Sequence, residues 1–143
     1  MSTIYRELSR TTGYFPLPNE IFELGLCAGE LAVYSYLMRC ENRKTCQCWP
    51  SLKTIGRAVC MSENTVRKYV SQLGERDLIE IEPTTVITRA GEKRNGSLRF
   101  TIRPFRDALA AHRQQQLDQT EIQMARQRAE NALNKRKAHR RRL

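Results

Sequence analysis

Hydrophobic positions recur at helical spacing through the first half of the chain, alternate like strands near residue 100, and thin out afterwards. Between Gly13 and Leu24, Pro18 suits the first turn of a short helix that turns Ile21, Phe22 and Leu24 inward, with Gly25 ending it. From Ala28 to Glu41, Leu31, Ala32, Tyr34 or Ser35, Leu37 and Met38 recur at spacings of three and four, which predicts the first long helix. Cys27 stands where a Ser or Thr cap is usual, so that cap is weak, while Glu30 suits the helix dipole. Asn42 to Pro50 reads as a polar loop. Ser51 caps a second helix, Leu52 to Val59, expected to bury Leu52, Ile55, Ala58 and Val59. Gly56 in its middle costs about 1 kcal/mol relative to Ala, which close approach of a neighbouring helix would offset. Cys60 and Met61 make a tight turn, and Ser62 caps a third helix, Glu63 to Glu75, with Val66, Tyr69, Val70 and Leu73 inward.

Period two then takes over. Ile79 and Ile81 alternate with Glu80 and Glu82, and Leu98, Phe100 and Ile102 alternate with polar residues. Between these, Arg89 to Gly96 predicts a hairpin tip with an Asn-Gly pair. Pro104 ends the strand, and the Ala-, Gln-, Arg- and Glu-rich segment beyond it favours helix. The organisation is therefore a flexible arm over 1–12, a compact domain over 13–104, and a basic helix or tail over 105–143. The fold class is mainly α with a small β-hairpin: a winged helix-turn-helix plus a long C-terminal helix.

Charge sharpens this picture. Across 143 residues, 25 Lys and Arg face 15 Asp and Glu, for a net charge of +10. Residues 103–143 hold 11 basic and 4 acidic side chains, so most of the excess lies in the tail. Such a balance points to a polyanion, nucleic acid before membrane. No apolar run approaches the roughly 18 residues a membrane helix needs, and the N-terminus lacks a signal-peptide core, so the expected location is cytoplasmic and nucleoid-associated. Five cysteines without an export signal read as reduced thiols.

On a helical wheel the third helix turns Asn64, Lys68, Ser71 and Glu75 away from its apolar side, with Arg67 and Gln72 on the flanks. A narrow polar helix face fits a major groove about 12 Å wide, and these residue types reach base edges and phosphates. Any amphipathic helix has a polar face, but here a short helix, a tight turn and a hairpin surround it. Ser62 and the helix start suit a phosphate oxygen. Lys93, Arg94 and Asn95, with Arg89, sit at the expected wing tip and suit a minor groove or backbone.

The segment WPSLKTIGRAVCMSENTVRKYVSQLGERDLI, Trp49 to Ile79, resembles the winged-helix pattern of GntR-type repressors and of plasmid and phage replication initiators. Phe15 to Pro104 is most similar to the small helix-turn-helix proteins of integrative elements of Gram-positive bacteria. That resemblance implies a phosphate-contacting cap at Ser51, near Lys53, and recognition-helix contacts at Ser62, Asn64, Thr65 and Arg67. Cys60 departs from the usual turn glycine and must accept or avoid a positive φ. The large effector domain of GntR-type proteins has no counterpart here.

Other chemistry is thin. Cys40, Cys46, Cys48 and Cys60 lack a two-residue zinc knuckle, and both histidines lie in the tail. The sequence thus predicts no enzyme, no cofactor and no metal. Lys135, Arg136, Lys137, Arg140, Arg141 and Arg142 can grip phosphates, form a solvated end, or meet an acidic partner. A seam of Ile122, Ala125, Ala129 and Leu133 offers a possible homodimer contact. The resulting expectation is a sequence-specific binder of double-stranded DNA, regulating transcription of a mobile genetic element. The alternatives are replication initiation for such an element and a protein-protein adaptor.

Overall fold

The computed structural model describes residues 13–142, and the arm expected over 1–12 lies outside them. A 3-10 helix, Asn19–Leu24, opens the described chain, with Ile21 and Leu24 buried and Gly25 at its end. Phe22 is 72% exposed rather than inward, because three residues per turn leave room for only one buried edge. Helix α1 spans Ala28–Cys40. Its cap is stronger than expected: Cys27 Sγ accepts from Glu30 N–H at 3.5 Å while Cys27 N–H donates to the Glu30 carboxylate at 3.3 Å. A sulfur acceptor is poor, but the reciprocal bond completes a capping box.

Helices α2 (Leu52–Val59) and α3 (Glu63–Glu75) follow, joined by Cys60, Met61 and Ser62. Cys60 does adopt a left-handed conformation, φ 58°. Within α2, Ile55 and Gly56 are buried and Ala58 is exposed, since only one narrow edge of an eight-residue helix faces inward. The close neighbour of Gly56 is the turn, not another helix: a Cβ there would collide with the Met61 carbonyl oxygen. Glycine thus lets the turn fold back over α2, where Met61 N–H donates to Gly56 O at 2.9 Å. The core gathers Val33, Tyr34 and Leu37 of α1, Ile55 of α2, and Val66, Val70 and Leu73 of α3. Burying each of these side chains contributes about 1.5–3 kcal/mol.

The strands close the core from one side. β1 (Gln47–Cys48), β2 (Ile79–Glu82) and β5 (Arg99–Ile102) form an antiparallel sheet in the order β1-β5-β2. β1 lies inside the segment read as a loop; two residues carry no period, and pairing with Phe100 and Thr101 makes them a strand. Phe100 is fully buried and Ile79 and Ile102 nearly so. Beyond Pro83 a separate ribbon pairs β3 (Thr85–Ile87) with β4 (Lys93–Asn95).

The chain forms two compact units dividing after Phe105. The first is the winged helix-turn-helix, mainly α with small antiparallel sheets. The second is the greater part of helix α4, Phe105–Arg142, which is continuous over 38 residues. No helix among the described residues is long and apolar enough to cross a membrane.

Candidate nucleic-acid interface

Two identical devices start the helix-turn-helix. In α2, Ser51 Oγ accepts from Thr54 N–H at 3.1 Å and pairs with Thr54 Oγ1 at 2.8 Å. In α3, Ser62 Oγ accepts from Thr65 N–H at 3.3 Å and pairs with Thr65 Oγ1 at 2.9 Å. Ser51, Ser62 and Thr65 therefore define where each helix begins, and Thr65 is half-buried in that role. The remaining free N–H groups of each first turn still point outward and favour an anion.

The outer face of α3 is as the wheel expects. Asn64, Arg67, Lys68 and Ser71 are exposed, whereas Val66, Val70 and Leu73 are buried. Lys68 holds its ammonium 5.5 Å from the Tyr69 ring centroid, which steadies a long side chain. Tyr69 itself is only half-buried; its ring end lies against Gly29 of α1, where any Cβ would collide with it.

The far end of α3 is anchored. Arg76, just past the helix, places Nε 2.8 Å from Glu30 Oε2, off the line a hydrogen bond needs, and donates from Nη2 to Oε1 at 3.5 Å. Its Nη1 also donates to Leu24 O at 3.4 Å. Glu30 is 3% exposed, so this ion pair ties the end of α3 to the start of α1. Sequence reading missed the pair, because the two residues lie 46 positions apart and neither falls on an apolar period.

A cleft of about 370 Å³ joins the start of α2 to the start of α3 and the base of the wing. Ser51, Lys53, Glu63 and Ser97 line it, so Ser51 and Lys53 stand beside the wing. Lys53 is exposed.

The wing differs from its expected form. Lys93, Arg94 and Asn95 are strand residues in β4, and the turn lies between Thr88 and Glu92. There Gly91 N–H donates to Thr88 O and Thr88 N–H to Glu92 O, each at 2.9 Å. The Asn95-Gly96 pair instead ends β4, where Gly96 N–H donates to Thr84 O at 2.7 Å. Opposed register pairs Ile87 with Lys93, Val86 with Arg94 and Thr85 with Asn95. Lys93 and Asn95 thus share one ribbon face and Arg94 occupies the other. Arg94 sits 3.6 Å from Glu92, an exposed pair of little strength. Arg89 is the basic residue in the turn itself, and it too is exposed.

In the second unit, Lys135, Arg136, Lys137, Arg140, Arg141 and Arg142 are exposed on one continuous helix. Among the described residues, no group of three or more His, Cys, Asp or Glu could hold a metal ion. Cys48 is buried, and burial above all, with Cys40 and Glu41 adding, pushes its thiol up to about 12. It remains a protonated packing group whose Sγ lies 3.8 Å from Leu37 O.

The model of a helix-turn-helix domain family matches residues 24–79, the span of α1 to α3. No curated protein sequence matches this chain. Among solved structures, a possible transcriptional regulator from Methanosarcina mazei Go1 is 15% identical, with 71% of this chain and 78% of that chain covered at a TM-score of 0.50. A MarR family transcription regulator is 17% identical, with coverage of 71% and 58% and a TM-score of 0.42. A structure describing regulation of DNA binding of Bordetella bronchiseptica BpsR by 6-hydroxynicotinic acid is 19% identical, with coverage of 76% and 84% and a TM-score of 0.37. The likeness to the first of these is one of fold.

Proposed function

We propose that the protein binds double-stranded DNA sequence-specifically, without catalysis, as a homodimeric transcriptional regulator in the nucleoid. The observation that carries this reading is the exposed strip of Asn64, Arg67, Lys68 and Ser71 on a helix whose opposite side is locked into the core. In this reading α3 enters the major groove, with Arg67 and Asn64 reading bases and Lys68 meeting phosphate. Lys53 and the free N–H groups at the starts of α2 and α3 hold backbone. The ribbon offers Lys93 and Asn95 or Arg94 to a neighbouring strand, according to which face turns in, with Arg89 at its turn. The basic end of α4 adds phosphate contacts.

Selecting bound sequences from a random duplex pool tests the reading. Recovery of one motif supports it, and recovery of none overturns sequence specificity. Salt dependence separates DNA binding from a protein-protein adaptor, because each phosphate contact adds about 0.9 to the slope of log affinity against log salt. The basic and amide-bearing strip favours DNA, since an adaptor face would be acidic or apolar. The resemblance of Phe15 to Pro104 to proteins of integrative elements supports the finer reading of a mobile-element regulator. A footprint over a replication origin, instead of a promoter, would make it an initiator.

A further inference from the structure

Helix α4 presents a problem that DNA binding alone does not explain. Residues 113–142 are exposed throughout. They include large apolar side chains: Leu117 is 60% exposed, Ile122 52%, Met124 55% and Leu133 53%. A helix this long with apolar residues in water is stabilised mainly when another surface covers them. Two of these four share a face: at roughly 100° per residue, Asp118, Ile122, Ala125, Ala129, Leu133 and Arg136 fall within about 80° of one another, while Leu117 and Met124 lie on another side. That strip is apolar in its middle, acidic at one end and basic at the other. Its small central residues permit close approach of a second helix.

Charge selects the occupant and its direction. Through Glu130, α4 carries four basic and four acidic residues; from Asn131 to Arg142 it carries six basic and none acidic. A parallel copy would set Asp118 against Asp118, Arg136 against Arg136, and one six-cation end against the other. An antiparallel copy centred near Gln127 reverses every one of these. Asp118 then faces the partner's Arg136 at both ends, Ile122 meets the partner's Ala132, and Ala125 meets the partner's Ala129. Each cationic end, residues 135–142, then lies beside the partner's residues 112–119, whose Asp118 and Arg113 cancel, instead of beside six like charges.

We propose that two copies of this chain pair through this strip of α4, antiparallel, with Asp118 of each opposite the partner's Arg136. The inference rests on the homodimer proposed above and supplies its geometry. Sedimentation equilibrium of the full chain without DNA tests it, using Asp118→Arg, Arg136→Asp and the two combined. Each single change puts like charges together at both ends and should weaken pairing at least about tenfold; the combination should return it to within about threefold of the parent chain. Ala129→Glu, in the middle of the strip, should abolish pairing, whereas Gln127→Glu, on the opposite side, should leave it unchanged. Circular dichroism checks that the variants remain helical. A parent chain that stays monomeric at micromolar concentration overturns the homodimer itself. A dimer that ignores both single charge reversals, or that the combined change fails to restore, overturns the antiparallel register and leaves the homodimer standing.

Discussion

Helices α3 and α4 are both rich in exposed polar side chains, and the exposure means different things in each. In α3, 13 residues commit Val66, Val70 and Leu73 to the core, so the polar strip is the remainder of a helix already held in place. In α4, Leu117, Ile122, Met124 and Leu133 are exposed along with the charges. The first helix is a finished surface whose geometry the fold dictates. The second, in the pairing proposed above, is one half of a surface. A rigid strip can discriminate between base sequences, because its donors are fixed in space. A cationic helix end offers mostly charge, which draws any duplex alike.

The largest effect should come from the turn that sets the pose of α3. Gly56→Val drives a branched side chain into the Met61 carbonyl and should cost about 3 kcal/mol, read as a lowered urea midpoint. Specific DNA binding should fall with it. Unchanged stability would show that the turn does not fix α3, and the contrast between the two helices would lose its basis. Next, Arg67→Ala on the finished surface should weaken binding to the selected motif at least about tenfold and scrambled duplex much less, measured by fluorescence anisotropy. Equal losses on both duplexes would make α3 a source of charge like α4.

Those two positions differ in how plainly they could be read. The bounds of α2 and α3 were legible because Ser51 and Ser62 each stand three residues before a threonine and start a clear apolar period. The face of α3 was legible for the same reason: once Val66, Val70 and Leu73 point in, Asn64, Arg67 and Lys68 must point out. The wing was not. Asn95-Gly96 looks like the stronger turn, yet Thr88 closes an earlier one by accepting Glu92 N–H on its hydroxyl at 3.2 Å. Moving the turn moves Lys93 and Arg94 into a strand, where register puts them on opposite faces. The Glu30–Arg76 pair was illegible because it exists only after α1 and α3 have packed.

A smaller effect separates the two units by charge. Replacing Lys135, Lys137, Arg140, Arg141 and Arg142 with Gln, while keeping Arg136, should weaken motif and scrambled duplex by the same factor. It should also lower the salt slope by about 0.9 for each phosphate that the helix end no longer neutralises. Weakening confined to the motif would mean that this end reads sequence, and the division of labour would reverse.

The smallest effect concerns pH and touches the winged unit alone. Burial raises the Tyr34 hydroxyl from its ordinary value of 10.0 to about 12, with Glu41 adding, and Cys48 goes from 9.0 to about 12. The folded chain therefore keeps protons that the unfolded chain releases. That contribution to stability is fully present below pH 9 and is lost as pH rises through 12. Helix α4 contains neither Tyr nor Cys, so it supplies none of this dependence. Tyr34→Phe sharpens the point. The Tyr34 hydroxyl is buried without a hydrogen-bond partner among the described residues, so its removal should change stability at pH 7 by less than about 1 kcal/mol. The same change should flatten the alkaline fall in urea midpoint between pH 10 and 12, leaving the part due to Cys48. A fall of undiminished steepness would mean that the Tyr34 hydroxyl reaches solvent, and that the core beneath α3 is looser than its packing shows.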